Sequence, residues 1–286
     1  MKKIVIIGNS AAGISAAEAI REKDKSSQVA IVSKEPFLAY HRPNLLSLLE
    51  GKVKERDLYY RSQDFYKNNS LELILEKEVI ELNLNKKKVV FKEKDFIGFD
   101  ELVIATGTKV FLPEIRGIQK EGVIALCGLK DVKFILENFP ILHTAIIVGS
   151  DSMAQTLARI FSDKKIDVKF FGTWDQPVEG VEPMGDKAIL EVLGDSDVKA
   201  VRLSSQKVIG SPLVIYTEPR RPNFDFLKNT DIKTNKGIIV DAQKRTSVPF
   251  VFAIGDVSES AQTPKTYGWE SAQMEGRIAG GALCQM

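Results

Sequence analysis

The chain has 286 residues, of which 44% are hydrophobic and 27% charged, and its formal net charge is +2. This composition is typical of a globular protein with one large or two medium domains, and it excludes fibrous and disordered classes. The nearly balanced charge gives no sign of a nucleic-acid partner or of binding to an acidic membrane surface.

The N-terminal stretch MKKIVIIGNS has only four apolar residues before Gly8. That run is too short for a signal peptide or a membrane span, so it predicts a buried first strand. The two cysteines, Cys127 and Cys284, form no closely spaced pair. Their separation argues against a disulfide framework, a dithiol centre or a metal site. We therefore expect a cytoplasmic protein without a membrane segment.

Short continuous apolar runs predict the strands of an α/β fold. They lie at 4–7, 29–32, 101–105, 145–148, 213–216 and 250–254. Strands with this pattern are buried on both faces, as in a parallel sheet covered by helices. Helical periodicity follows in ISAAEAIREK and again in MAQTLARIF, so the βαβ unit is predicted twice. Apolar and charged residues alternate over 77–107, which predicts an antiparallel meander.

The first predicted strand-to-helix turn has the spacing of a phosphate-binding loop. In KIVIIGNSAAGIS, Gly8 and Gly13 take the first and third positions of a GxGxxG pattern, and Ser10 takes the second. The glycines allow a tight turn and close helix–strand contact, and the small Ser10 leaves the helix N-terminus accessible to a pyrophosphate. Glu35 follows the second strand and is placed to accept from ribose hydroxyls, a role for which Ser33 competes. A turn without a ligand is the alternative interpretation.

Three later stretches complete an ordered set of motifs: EPFLAYHRPNL (35–45), FDELVIATGT (99–108) and GIIVDAQKRTSVPFVFAIGDVSES (237–260). Together with the first turn they resemble the FAD-dependent pyridine nucleotide-disulfide oxidoreductases. The nearest likeness is to NADH:rubredoxin reductases, ferredoxin reductases and nitrite reductase flavin modules. The resemblance covers nearly the whole chain, and it implies an α/β fold with two Rossmann-like domains of the glutathione-reductase type.

The resemblance also implies domain bounds, a cofactor and contacts. An FAD-binding domain at 1–111 and 221–286 would be interrupted by a shortened NAD(P)-binding-like domain at 112–220. The implied FAD contacts are Gly8, Ser10, Ala12 and Gly13 for the pyrophosphate, Glu35 for the ribose, Arg42 and Pro43 along the flavin, Val79 at the adenine, Ala105, Thr106 and Gly107 beneath the cofactor, Gly255 and Asp256 at the ribityl chain, and Trp269 beside the ring.

Some of these roles have structural alternatives. Asp256 follows a buried strand and a glycine, so its carboxylate can accept from hydroxyls, but a solvated aspartate is the other interpretation. Core packing is an equal alternative for Trp269. His41 is compatible with proton transfer near the flavin or with packing alone. We identify no catalytic residue.

A second glycine turn is expected at 146–161, IIVGSDSMAQTLARIF, and it departs from the family pattern. Only Gly149 survives, because Asp151 and Ala154 replace the second and third glycines. The Asp151 Cβ crowds a pyrophosphate and its carboxylate repels one. Gly172 and Thr156 stand where the family usually has acidic residues that serve the nicotinamide dinucleotide.

We therefore expect an FAD-dependent electron-transfer oxidoreductase that works with a redox protein partner, iron–sulfur or similar, and has lost its NAD(P)H site. One alternative is an NAD(P)H-dependent FAD oxidoreductase like the rubredoxin and ferredoxin reductases. The other is a non-catalytic flavin-bearing structural or sensory module. Because the chain ends soon after Arg277, we expect no C-terminal dimerisation domain. The prediction is a monomer or a hetero-complex subunit rather than the family's homodimer.

Overall fold

The computed structural model of the protein describes residues 1–174, 176–185, 187–260 and 264–285. Its strands are β1 (Lys3–Ile7), β2 (Gln28–Val32), β3 (Leu71–Ile74), β4 (Val79–Asn83), β5 (Lys88–Phe91), β6 (Phe96–Gly98), β7 (Glu101–Ile104), β8 (Thr108–Val110), β9 (Val123–Ala125), β10 (Thr144–Val148), β11 (Asp167–Phe171), β12 (Val181–Pro183), β13 (Ile189–Leu193), β14 (Ala200–Leu203), β15 (Val208–Gly210), β16 (Val214–Tyr216), β17 (Arg220–Pro222), β18 (Ile238–Val240), β19 (Val251–Ala253) and β20 (Ser258–Ser260). Its α-helices are α1 (Ala11–Lys23), α2 (Leu45–Glu50), α3 (Gln63–Asn68), α4 (Leu129–Asn138), α5 (Ser152–Asp163) and α6 (Trp269–Leu283).

The first of two compact units comprises residues 1–41, 58–108 and 222–286. Its centre is a five-stranded parallel sheet in the order β19-β7-β1-β2-β3. Neighbouring residues of β1 enter different cores, since Ile6 packs in one apolar cluster and Val5 in another. Successive side chains of a strand point to opposite faces, so the continuous apolar runs reflect a sheet buried on both faces.

Helices α1 and α6 pack closely against each other in this unit. A Cβ on Gly276 would lie 2.4 Å from the carbonyl oxygen of Ala12, and one on Gly280 would lie 2.7 Å from that of Ala16. Glycine at these positions therefore lets the α6 backbone approach the α1 backbone directly.

Strands β4, β5 and β6 form an antiparallel sheet, which confirms the predicted meander. The apolar residues of this sheet pack in the same cluster as Val5 of β1.

The second compact unit comprises residues 42–57 and 109–221. Its parallel sheet has the order β12-β11-β10-β16-β9, and β13, β14 and β15 form an antiparallel sheet. Within the unit, α2 is tied to α5 by an ion pair of 2.9 Å between Glu50 and Arg159. The segment 42–57 thus belongs to this compact unit. The predicted domain bounds instead included it in the FAD-binding domain.

The six predicted apolar runs correspond to β1, β2, β7, β10, β16 and β19, and the predicted α/β class is confirmed. In the chain as described, none of the helices combines the length and the apolar character needed to cross a membrane.

Candidate functional site

Loops of the first unit converge at the carboxyl edge of its parallel sheet. Those after β1, β2, β7 and β19 contain Gly8–Gly13, Glu35, Ala105–Gly107 and Gly255–Asp256. In the sheet, β1 has β2 on one side and β7 on the other, so the strand order reverses at β1. Ligands of open α/β sheets bind at such a reversal of strand order, so the topology brings most of the predicted cofactor contacts to one crevice.

The loop after β1 is a tight turn at the start of α1. Gly8 has a φ of +128°, and a Cβ there would lie 2.2 Å from the carbonyl oxygen of Ala105. A Cβ on Gly13 would lie 1.9 Å from the carbonyl oxygen of Gly8. Ser10 is the N-cap of α1, and its side chain makes no capping hydrogen bond to the described residues. The first N–H groups of α1 therefore remain suited to binding an anion.

Asn9, inside the same turn, is fixed by a buried tyrosine. The Tyr66 hydroxyl donates to Asn9 Oδ1 at 2.9 Å and accepts from the Ala39 N–H at 3.1 Å. Burial raises the pKa of Tyr66, so its hydroxyl stays a neutral donor. Asn9 and Tyr66, which were not among the predicted contacts, together hold the turn against the loop after β2.

The loop after β2 carries both candidates for the ribose contact. The Tyr40 hydroxyl donates to Glu35 Oε2 at 2.9 Å, and the Glu35 N–H donates to Ser33 Oγ at 3.2 Å. Tyr40 orients the Glu35 carboxylate, while the Ser33 hydroxyl already serves as an acceptor within the loop. Val79 lies at the start of β4 and is half-buried.

The loop after β7 is held by a segment that follows β17. Thr106 Oγ1 donates to the Asn223 carbonyl at 2.6 Å, and the Asn223 N–H donates to the Gly107 carbonyl at 2.9 Å. In the loop after β19, Asp256 Oδ1 accepts from the Gly268 N–H at 3.5 Å. The loop after β7 thus has a fixed backbone, and the Asp256 side chain contacts the N-cap residue of α6.

Trp269 begins α6 within an aromatic cluster. Its ring lies 4.5 Å from the His41 ring and 5.3 Å from the Tyr60 ring, between centroids. The Tyr60 hydroxyl accepts from Gln273 Nε2 at 2.8 Å. His41 Nδ1 is buried and has no hydrogen-bond partner among the described residues. The cluster gives Trp269 packing contacts and leaves one buried polar atom for a ligand to satisfy.

The predicted flavin contacts Arg42 and Pro43 belong to the second compact unit. There Arg42 Nη1 donates to the Cys127 carbonyl at 2.8 Å. Asp131 Oδ2 accepts from the N–H groups of Cys127 and Gly128, each at 2.8 Å. Cys127 also packs against an apolar cluster, which agrees with its interpretation as a packing residue.

The second glycine turn is occupied by carboxylates of the chain itself. Asp151 is the N-cap of α5, and its Oδ1 accepts from the Ala154 N–H and from Thr217 Oγ1, each at 2.8 Å. Glu218 Oε2 accepts from the Ser150 N–H at 2.6 Å. One N–H group in the first turn of α5 and the N–H of Ser150, just before the N-cap, therefore already bind anionic oxygens. The capping role of Asp151 and the contribution of Glu218 were not predicted.

Neighbouring residues pack tightly around this turn. Ser150 Oγ accepts from the Thr173 N–H at 3.0 Å. A Cβ on Gly172 would lie 2.0 Å from the carbonyl oxygen of Gly149, and a Cβ on Gly149 would lie 2.0 Å from Thr217 Oγ1. The loops after β10, β11 and β16 consequently lie in close contact, as the loops after β1 and β7 do in the first unit.

Replacing Asp151 with alanine should destabilise the protein by about 1 kcal/mol, because α5 loses its N-cap acceptor. Denaturant unfolding followed by circular dichroism measures the change. Asp163→Ala is the matched control, since Asp163 is the last residue of the same helix, where a negative charge is unfavourable. Equal stability of Asp151→Ala and the unmodified protein would contradict the capping role.

A search against protein-family models gives a match over residues 2–276 to the family described as pyridine nucleotide-disulphide oxidoreductase. The chain belongs to this family. The predicted family and oxidoreductase class are thereby confirmed, as is FAD, the cofactor of these flavoproteins.

Individual relatives of this chain share about a quarter of its residues or less. The nitrite reductase [NAD(P)H] of Bacillus subtilis (strain 168) is 27% identical over 90% of this chain, which spans only 34% of that protein. The NADH-rubredoxin oxidoreductase of Clostridium acetobutylicum is 26% identical over 90% of this chain and 68% of its own. Putidaredoxin reductase, in its covalent complex with putidaredoxin, has the same fold at a TM-score of 0.86 and 19% identity, covering 99% of this chain and 75% of that one.

The first unit of this oxidoreductase fits FAD. Its α1 N-terminus lacks a side-chain cap from the described residues, its glycines allow close backbone approach, and His41 Nδ1 is buried without a partner there. These are the features that a pyrophosphate and a polar ring system require. The individual FAD contacts remain predictions.

Proposed function

We propose that this chain is an FAD-dependent oxidoreductase that exchanges electrons with a redox protein and does not bind NAD(P)H in its second unit. The observation that carries this proposal is the pair of carboxylates, Asp151 and Glu218, bound to the Ala154 N–H in the first turn of α5 and to the Ser150 N–H just before this helix. In a working dinucleotide site these N–H groups face a pyrophosphate.

Electrostatics supports closure of this turn. A pyrophosphate would have to displace both carboxylates and then lie beside their negative charges, at a cost of kilocalories at close range. Displacing Asp151 would also remove the N-cap of α5 and its bond to Thr217. Both the stability of α5 and the charge repulsion therefore oppose nucleotide binding at this turn.

In the first unit, we propose that the turn from Gly8 to Gly13, with Ser10 and Ala12, binds the FAD pyrophosphate. Glu35 would bind the ribose and Asp256 the ribityl hydroxyls, and Val79 and the Ala105–Gly107 loop would contact the rest of the cofactor. Bound FAD supplies the electron-carrying ring. The chain fixes its position, and Trp269 with its neighbour His41 limits access of water to one side of the crevice.

We propose a small iron–sulfur or similar redox protein as the partner. This follows from the names of relatives that work with rubredoxin or that were solved with putidaredoxin. We place the reaction in the cytoplasm, since the two cysteines of the chain are unpaired.

The second candidate function is NAD(P)H-dependent reduction of FAD. It is favoured by the relatives named nitrite reductase [NAD(P)H] and NADH-rubredoxin oxidoreductase. In that case the nicotinamide dinucleotide would bind through contacts other than the N–H groups at the start of α5.

Anaerobic stopped-flow spectroscopy separates the candidates. With the FAD-loaded protein, we expect NADH and NADPH to reduce the flavin slowly, with a rate that rises linearly and does not saturate. A reduced [2Fe–2S] ferredoxin should reduce it rapidly. Saturation at micromolar NADH would contradict the proposal and establish the second candidate. Failure of every donor, dithionite excepted, would instead indicate a structural or sensory flavin module.

Variants test the closed turn itself. Asp151→Gly combined with Glu218→Gln should raise the second-order rate with NADH, because both anionic groups leave the turn. The gain should be partial, since Thr156 and Gly172 remain unchanged. Asp163→Asn, which removes one negative charge at the far end of α5, is the control and should leave the rate unaltered.

A further inference from the structure

The loop after β19 is held by a carboxylate that the sequence analysis did not single out. Glu275 lies on α6 and is only 5% exposed. Its Oε1 contacts Lys265 Nζ at 2.7 Å and Lys244 Nζ at 3.0 Å. Burial disfavours the ionised form, but the two ammonium groups outweigh that effect and hold the pKa of Glu275 below its ordinary value. Glu275 is therefore a buried anion with two cationic partners.

The other oxygen of Glu275 binds the backbone of the proposed FAD loop. Oε2 accepts from the Gly255 N–H at 2.8 Å and from Ser258 Oγ at 3.0 Å. Gly255 has a φ of +70°, and a Cβ there would lie 3.0 Å from the Ala12 Cβ. Glu275 thus fixes the turn that carries Asp256 where this turn contacts the first turn of α1.

Lys265 also binds this turn. Its ammonium donates to the Gly255 carbonyl and to Ser258 Oγ, each at 2.9 Å, in addition to its bond with Glu275. The segment that carries Lys265 leads to Gly268, whose N–H approaches Asp256 Oδ1. The Gly255 backbone before Asp256 and the Ser258 side chain after it are consequently bound by one charge network.

We propose that Glu275 is a positioning residue for FAD: it sets the Gly255–Asp256 turn in the conformation that the cofactor requires, and its ion pairs with Lys244 and Lys265 hold its carboxylate in place. This inference rests on the proposed binding of FAD by Asp256. It assigns Glu275 no contact with the cofactor.

Glu275→Gln provides the first test. The amide keeps an oxygen for Gly255, but its NH₂ group cannot accept from either lysine, so two buried ammonium groups lose their anion. We expect the Kd for FAD, measured by flavin fluorescence on the apoprotein, to rise about 10-fold or more. Glu259→Gln is the matched control, because it neutralises a carboxylate that accepts from a different backbone N–H, that of Gly237 at 3.0 Å.

Two variants with the same net charge separate the positioning effect of residue 275 from its effect on general stability. Both contain Lys244→Met and Lys265→Met, one together with Glu275→Gln and the other with Glu275→Leu. They have similar volume and equal charge, and they differ in the acceptor available to Gly255 and Ser258. We expect the Gln variant to bind FAD about 10-fold more tightly than the Leu variant. The increase in Tm on adding FAD should be larger in the Gln variant as well.

Equal FAD affinity and equal Tm increments in these two variants would overturn the inference, even if both are less stable than the unmodified protein. So would unchanged affinity in Glu275→Gln. An unmodified protein that takes up no FAD would instead overturn the proposed function, and the two failures are thereby distinguished.

Discussion

Gly13→Ala should yield a protein that purifies with little FAD and is destabilised by about 3 kcal/mol, the upper end of the usual cost of overpacking. The added Cβ would lie 1.9 Å from the Gly8 carbonyl oxygen and 3.2 Å from Ile6 Cγ2. Because the obstacle is backbone, relief requires the turn and α1 to move apart. The ratio of flavin to protein absorbance and a denaturant unfolding curve measure the two effects.

Gly281→Ala is the control for this change. Gly281 also lies in a helix, but a Cβ there would contact only Lys23 Nζ, at 3.4 Å, which is the end of a flexible side chain. We expect unchanged FAD content and equal or higher stability, by up to about 1 kcal/mol, because alanine favours helix. If Gly13→Ala behaved like Gly281→Ala, close helix–strand approach at the first turn would not be needed for FAD.

Asp256→Ala should weaken FAD binding by about 1.5–3 kcal/mol, the value of a hydrogen bond to a charged group. In the proposed site its carboxylate accepts from hydroxyls of the cofactor, and alanine leaves those hydroxyls without an anionic acceptor. Titration of the apoprotein with FAD gives the Kd. The change corresponds to a factor of about 10–150.

Two further variants interpret that result. Asp256→Asn keeps an acceptor oxygen without the charge, so its affinity should lie between those of Asp256→Ala and the unmodified protein. Asp231→Asn changes an exposed carboxylate of the same unit and should have no effect. Unchanged FAD occupancy in Asp256→Ala would show that this carboxylate does not face the cofactor.

Local patterns were sufficient to predict the two parallel sheets, the antiparallel meander over 77–107 and the first turn, but not the sheet of β13, β14 and β15. An apolar run such as Ile4–Ile7 reports burial on both faces, and the spacing of Gly8 and Gly13 reports a tight turn before a helix. Each signal lies within a few residues of the structure that it specifies. The compact grouping of 42–57 with the second unit could not be predicted in this way. It depends on ion pairs such as Glu50–Arg159, whose partners are 109 positions apart.

The contacts of the turn before α5 were predicted only in part. Asp151 directly precedes an apolar-striped helix, which is the sequence signal of an N-cap, but our interpretation considered only its repulsion of phosphate. Glu218 binds the Ser150 N–H from 68 positions away, and no local pattern indicates that pairing.

Glu275 did have a local signal, which the sequence analysis did not use. It lies at helical spacing from Ala272 and Ala279, on the face of α6 that packs inward. A charge on such a face predicts a buried partner. The identity of Lys244 and Lys265 as those partners required the fold.

The discontinuity of the first unit bears on how the protein folds during synthesis. A ribosome adds about 5–20 residues per second, and domains generally fold as they emerge. The second unit is translated before residues 222–286, which supply β19 to the first sheet and α6 to α1. Until then the nascent chain exposes β7 as an open edge, and the α1 backbone near Ala12 and Ala16 lacks its covering helix. We expect this interval to be when the polypeptide most needs a chaperone.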